Sequence, residues 1–288
     1  MIVLARRLSS RRHDRAPRRG GSGDGLQLQR DLGLLWRQVG YEQLSYWRNP
    51  AAAFFTFALP LVFLFIFVSV FGNQKFGNFG GGLLRNVRGS QYYVSSILAY
   101  GVVAACFSNL SITLCLRRDQ GILKRVRGTP IPPWVYLSGA VGNSVVVSFL
   151  LSAVCIAAGV LIYGVPFPHA FAALVVAIVV GAAAFCALGL AVTTLIPNAE
   201  AAPPVVNIVM LVLLFISGTY FPVAPNSGLG RIAAVFPVQH FILAVRAPIV
   251  PELRQGAWQG KHLLVMAVWG VAGLLFAVRR FRWEARRS

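Results

Sequence analysis

Acidic residues are what this chain has least of: eight Asp and Glu stand against 27 Lys and Arg in 288 residues. Charge of either sign is thin, at 12% of the sequence, about half of the roughly 25% that a soluble domain carries. The four cysteines, Cys106, Cys115, Cys155 and Cys186, all fall inside apolar runs and read as small, reduced hydrophobes. Neither a Cys-x-x-Cys pair nor a Cys/His metal spacing occurs, and the four histidines at 13, 169, 240 and 262 are scattered. With no acidic cluster either, no metal residue is expected. The G-x-x-x-x-G-K-[ST] phosphate loop is missing, which excludes nucleotide hydrolysis by that route. Intramembrane hydrolysis lacks a base, because Ser217-Gly218 has no membrane-embedded histidine to serve it. No catalytic or cofactor-binding residue is expected, and the chain reads as a non-enzyme.

What is abundant is hydrocarbon. Apolar residues make up 57% of the chain, with 20 Phe among them. A net charge of +19 is also what a nucleic-acid binder shows. Here the basic residues flank long apolar runs and form no continuous face, so they read as topology anchors and no nucleic-acid partner is expected. The predicted fold class is an all-α integral membrane protein with six transmembrane helices. Spans are expected at about 51–71, 92–116, 134–162, 171–195, 204–217 and 262–278. A run of 21 residues rises about 31 Å, the thickness of a bilayer's hydrocarbon core.

Residues 1–29 open with a short apolar lead and seven arginines by Arg19, and read as a disordered basic tail. Over 30–49, Leu32, Leu35, Trp36, Val39, Gln43, Tyr46 and Trp47 recur at helical spacing, with Arg30, Arg37, Tyr41, Ser45 and Arg48 opposite. That pattern predicts an amphipathic helix at the headgroup boundary, in contact with membrane lipid. Asn49-Pro50 turns the chain into the bilayer. Ala183, Ala187 and Ala191 share one face of the fourth span, as do Ala177 and Gly181, which permits close helix approach. Between the fifth and sixth spans, 217–260 is apolar yet broken at Gly218, Pro222 and Pro237, which predicts short re-entrant helices on the far side. The basic tail 281–288 follows the last span.

With both termini inside, inner segments carry twenty Lys and Arg and outer segments seven. That is the inside-positive bias of a plasma (inner) membrane protein whose termini face the cytoplasm. Five of the twenty lie in the connector RRDQGILKRVRGTPIPP at 117–133, which is expected to face water. Within it Ile122, Leu123 and Val126 form an apolar ridge inside a collar of Lys124, Arg125 and Arg127. A soluble subunit could grip this, although the same run is also what an inside-positive anchor looks like. No ionisable residue lies well inside any expected span, which weakens an ion-coupled carrier.

Taken together, four features resemble the permease subunit of an ABC-2-type exporter, the group with daunorubicin-resistance-like and nodulation-type permeases. They are the helix ending at Arg48-Asn49-Pro50; the connector with Gly121, Lys124, Arg125, Arg127 and Thr129-Pro130; the break Ser217-Gly218 leading to Phe221-Pro222; and Phe236-Pro237 with Arg246. The resemblance implies that 117–129 is a coupling helix, Gly121, Ile122, Leu123, Lys124, Arg125, Val126 and Arg127 meeting a nucleotide-binding subunit. Trp36, Arg37, Trp47, Arg48, Asn49 and Pro50 of the interfacial helix would touch the same partner. The region 217–245 would form the external gate, with Gly218, Phe221, Pro222, Phe236 and Pro237. Two nucleotide-binding subunits holding ATP and Mg, and a second permease copy or a homologous sister, would complete the assembly. Cargo would be hydrophobic, amphipathic or lipid-linked, passing Phe57, Phe63, Asn109 and Thr113. A Phe-rich first span is equally what a lipid-facing helix shows, and polar groups in spans also make interhelical hydrogen bonds. A membrane scaffold or an ion-coupled carrier are the rival classes.

Overall fold

Apolar runs of bilayer length become helices because only intrasegment hydrogen bonds can satisfy their backbone in lipid. A computed structural model of the chain describes residues 23–75, 84, 86–129, 132–253 and 256–280. Among these the secondary structure is helical, apart from one isolated bridge between Lys75 and Arg88. Helix α1 (Gly23–Trp47) leads into α2 (Pro50–Phe71). Next come α3 (Gly89–Val103), a π-helical turn (Ala104–Asn109) and α4 (Leu110–Asp119), followed by the short α5 (Ile122–Arg127). Helices α6 (Pro133–Leu161), α7 (Phe171–Thr193) and α8 (Ala202–Ile216) complete the middle of the chain. Then follow α9 (Gly228–Ala233), α10 (Pro237–Ile249) and α11 (Gly260–Arg280).

Among the described residues five helices are long and apolar enough to cross a membrane: α2, the continuous Gly89–Asp119 rod, α6, α7 and α11. The fifth expected span is the 15-residue α8, which rises only about 22 Å. Its run is cut short at Gly218, whose φ of 76° places it in the left-handed region that glycine adopts at little cost. The second span is longer than its apolar stretch. At 31 residues the rod extends about 46 Å, because Arg117 and Arg118 find partners within the protein.

The N-terminal helix begins at Gly23, inside the stretch read as a tail, and residues 1–22 lie outside the described residues. One face of α1 packs on α6. Val39 and Glu42 are buried, with Leu35, Gln38, Gln43 and Tyr46 beside them, whereas Trp36 is 73% exposed. Gly139 and Gly142 of α6 explain the close approach, since a Cβ at either would meet Gln38 or Val39. The same device joins α7 to α11, where Gly270 lies against Ala184 and Gly273 against Leu188. Without a hydrophobic drive between helices in lipid, such contacts rest on close van der Waals packing. Two short helices, α9 and α10, occupy the region read as re-entrant, and α10 is almost wholly buried against α3, α7 and α11. The four cysteines are buried and unbridged.

Candidate coupling site

The connector is built from its glycine outward. Gly121 has φ 73°, ends α4 and starts α5 at once, and its carbonyl accepts from Arg125 N at 3.1 Å. The Thr129 hydroxyl closes the other end on Val126 O at 2.7 Å. Lys124 and Arg125 are exposed, while Ile122 and Val126 are half-buried. Leu123 is 0% exposed, so the centre of the expected docking ridge is already packed inside the chain. The Arg127 side chain lies outside the described residues.

Immediately before α5, three charged residues clamp the end of the rod, and the expectation of a wholly water-facing connector is corrected here. Arg117 makes a two-pronged ion pair, Nη1 to Glu42 Oε1 and Nη2 to Glu42 Oε2, both at 2.7 Å. Its Nη1 also donates to the Tyr136 hydroxyl at 3.1 Å. Glu42 is 7% exposed, and such paired, planar geometry is what offsets the cost of taking an ion pair out of water. Arg118 faces the other way. It donates to Thr193 O at 2.9 Å and Ile196 O at 2.8 Å, supplying donors to carbonyls that the end of α7 leaves unpaired. Asp119 Oδ2 accepts from Ala199 N at 2.5 Å in the turn before α8. One short stretch therefore ties α5 to α1, α6, α7 and the approach to α8. Sequence reasoning missed Glu42 and Arg118. The available signal was one acid, three residues from Val39, on the packed face of a helix in an acid-poor chain.

Between α1, the rod and α6 lies a polar cavity of about 170 Å³, lined by Glu42, Tyr46, Asn49, Asn109, Thr113, Arg117 and Asn143 among others. The Asn143 Oδ1 in its wall is buried without a hydrogen-bond partner. Burial pushes the Tyr46 phenol above its ordinary value, with Thr56 pulling the other way. Asn109 and Thr113 are thus brought together, 3.5 Å apart between Oδ1 and Oγ1, at the end of the π-helical turn. The two phenylalanines expected on the same path are elsewhere. Phe57 stacks on Trp47 at 5.9 Å, and Phe63 packs with Tyr100 and Tyr220 in an aromatic cluster.

Of the other expected residues, Trp47 is exposed beside Arg48, and Arg37 is exposed one position from Trp36. Asn49 caps α2 by accepting from Ala52 N at 3.3 Å, and Pro50 is its first residue. At the opposite end of the rod, the Tyr92 hydroxyl donates to Gly218 O and that of Tyr93 to Tyr220 O at 3.2 Å. Phe221 is exposed and Pro222 half-buried there. Phe236 stacks on Trp269 at 6.4 Å, and Pro237 starts α10.

Five bilayer-length apolar helices, with charges confined to their ends, define a multi-pass all-α membrane protein. Residues 34–250 match the ABC-2 type transporter family, and the chain belongs to that family. Membership makes it a membrane transport component and implies a nucleotide-binding subunit of the ABC type as partner. No curated protein matches the chain. Among the described residues no group of three or more His, Cys, Asp or Glu is placed to hold a metal.

Proposed function

We propose that this chain is the membrane subunit of an ATP-driven exporter in the inner membrane, carrying hydrophobic, amphipathic or lipid-linked cargo out of the cytoplasm. The observation that carries the reading is the clamp at the base of α5. A short helix with exposed Lys124 and Arg125 is fastened by Arg117, Arg118 and Asp119 to four other elements. A partner that moves α5 moves them with it. In a pair of permeases two nucleotide-binding subunits dock, one of them on this α5, with ATP and Mg held by them, and the exposed Trp36, Arg37, Trp47 and Arg48 face lies beside that subunit. Half-buried Ile122 and Val126 supply the apolar part of the contact and Leu123 the internal anchor.

In this reading α8 is the fifth crossing in chain order and brings the total to six, completed through the Ser217–Gly218 turn, and both termini face the cytoplasm, in keeping with the twenty basic residues on that side. The apolar faces of α2 and α8, with Phe54, Phe55, Phe65, Ile208, Val212 and Phe215 exposed, are turned to lipid and to a second permease copy or sister. The polar cavity with Asn109 and Thr113 receives the polar end of cargo from the cytoplasmic side. The test is co-purification with the nucleotide-binding partner and ATPase activity in lipid vesicles. Lys124→Glu with Arg125→Glu is expected to abolish coupling between hydrolysis and transport while insertion stays intact. Retained coupling would remove α5 as the docking element. Transport driven by an ion gradient without nucleotide would remove the exporter reading itself.

A further inference from the structure

At the end of the rod away from α5, a buried cation has no acid to meet. Arg246 on α10 is 5% exposed. Its Nη2 donates to Ser96 Oγ at 2.8 Å and its Nε to Ser95 Oγ at 3.4 Å, and the guanidinium carbon sits 4.1 Å from the Tyr92 ring centroid. Among the described residues no carboxylate lies within ion-pair distance of it. A guanidinium has five N–H donors; the two serine hydroxyls take two and the Tyr92 side chain is a third partner. A buried charge without a counter-charge is costly to keep.

Arg246 forms part of the wall of a cavity of about 280 Å³, between the Ser217–Gly218 turn, α9, α10 and the start of α11. Lys261, His240 and His262 share that wall, and no Asp or Glu lines it. Glu252, next to the lining residue Leu253, is engaged by Gln91 Nε2 at 2.9 Å. Ser217, itself 4% exposed and lining the cavity, has an Oγ with no hydrogen-bond partner. The two histidines are engaged with each other and with the backbone, His240 Nε2 lying 2.9 Å from Ala234 O and the two Nδ1 atoms 2.6 Å apart, so the charge facing the cavity comes from Arg246 and Lys261. Gln239 and Tyr92 add polar atoms to the wall, and Leu84, Val223, Ile242 and Leu243 add apolar ones.

We propose that this cavity is an oxyanion site that takes a phosphate group, carried on a lipid headgroup or as the free ion. Arg246 supplies the fixed charge and planar donors suited to phosphate oxygens. Lys261 brings a second charge at the exposed rim, and Ser217 donates its unused hydroxyl. The site goes beyond the exporter reading and needs neither a nucleotide-binding partner nor transport.

Binding is measured on the full chain in maltoside micelles, which contain no phosphate, with radiolabelled inorganic phosphate in one arm and fluorescent phosphatidylglycerol in the other. Fluorescent diacylglycerol is the control. Saturable binding of inorganic phosphate identifies the free ion as a ligand, and saturable binding of phosphatidylglycerol alone identifies the headgroup; diacylglycerol stays unbound. Lys261→Gln, at the exposed rim, and Ser217→Ala, which removes only a hydroxyl, are each expected to weaken binding about tenfold, as loss of one hydrogen bond to a charged group does. Both variants are first matched to the parent in elution profile and thermal midpoint. No saturable binding of either phosphate probe overturns the site, as does binding left unchanged by both substitutions.

Discussion

Glu42 and Arg117 meet across 75 positions of sequence, and the pair is worth more as a unit than either member alone. Removing one side of a buried ion pair strands the other charge, at a cost of about 3–5 kcal/mol. Glu42→Gln is therefore expected to lower the thermal midpoint of the detergent-solubilised protein sharply. Glu42→Gln combined with Arg117→Met should recover much of that loss. Additive effects in the double variant would show that the two side chains act independently. Gly121 tests the same joint differently. A Cβ there would meet nothing within 4 Å, so the strain of an L residue at φ 73° is the whole effect, about 1–2 kcal/mol. Gly121→Ala is expected to leave the protein folded in the membrane and to reduce transport per ATP hydrolysed. Unaltered coupling would mean that the turn geometry does not matter to the lever.

At the scale of helices, the π-helical turn and α7 are held by one narrow contact. A Cβ on Gly189 would lie 3.1 Å from Cys106 O, Phe107 O and Ser111 Oγ, and Ser111 already donates to Gly189 O at 3.0 Å. Gly189→Val has no room without parting the two helices, and thermal unfolding should show a loss larger than Gly228→Val, where the space is open. Equal midpoints would locate the packing of this pair elsewhere. Helices of this kind were legible from composition, because an uncharged run of bilayer length has one stable backbone form. The start of α2 was legible too, from Asn49-Pro50, whereas Pro237, read as a break, opens α10. Contacts between helices were not legible. Which face of α1 is buried depends on Gly139 and Gly142 a hundred residues away, a contact that no local pattern carries. Arg117 and Arg118 looked aqueous because their charge is local and their partners are not. Arg246 was noticed only as part of a motif, since the Ser95-Ser96 and Tyr92-Tyr93 doublets that hold it give no periodic signal.

For the whole molecule, the charge count sets an orientation that labelling can measure. Lys124 and Trp258 are both exposed and lie near opposite ends of the fold, whereas the native cysteines are buried. Lys124→Cys is expected to react with a membrane-impermeant maleimide only when the cytoplasmic side is open, and Trp258→Cys only from outside. Labelling of both from one side would overturn the arrangement of termini and of the coupling end together. The family match extends over 34–250, so it includes α1 from its fourth turn onward and the whole of α10.

The Gly89–Asp119 rod carries a mechanical implication of its own. It is fastened at one end by Arg117, Arg118 and Asp119, at the other by Tyr92 and Tyr93, and between them, nearer the Asp119 end, by Ser111 on Gly189. A stiff beam pinned off-centre turns about the pin, and its longer arm travels further. Tilting its foot one way swings its head, and the 218–220 turn hung from it, the other way. A tilt about that contact would tie the position of α5 to that of the 218–220 turn, whichever side of the membrane each one faces.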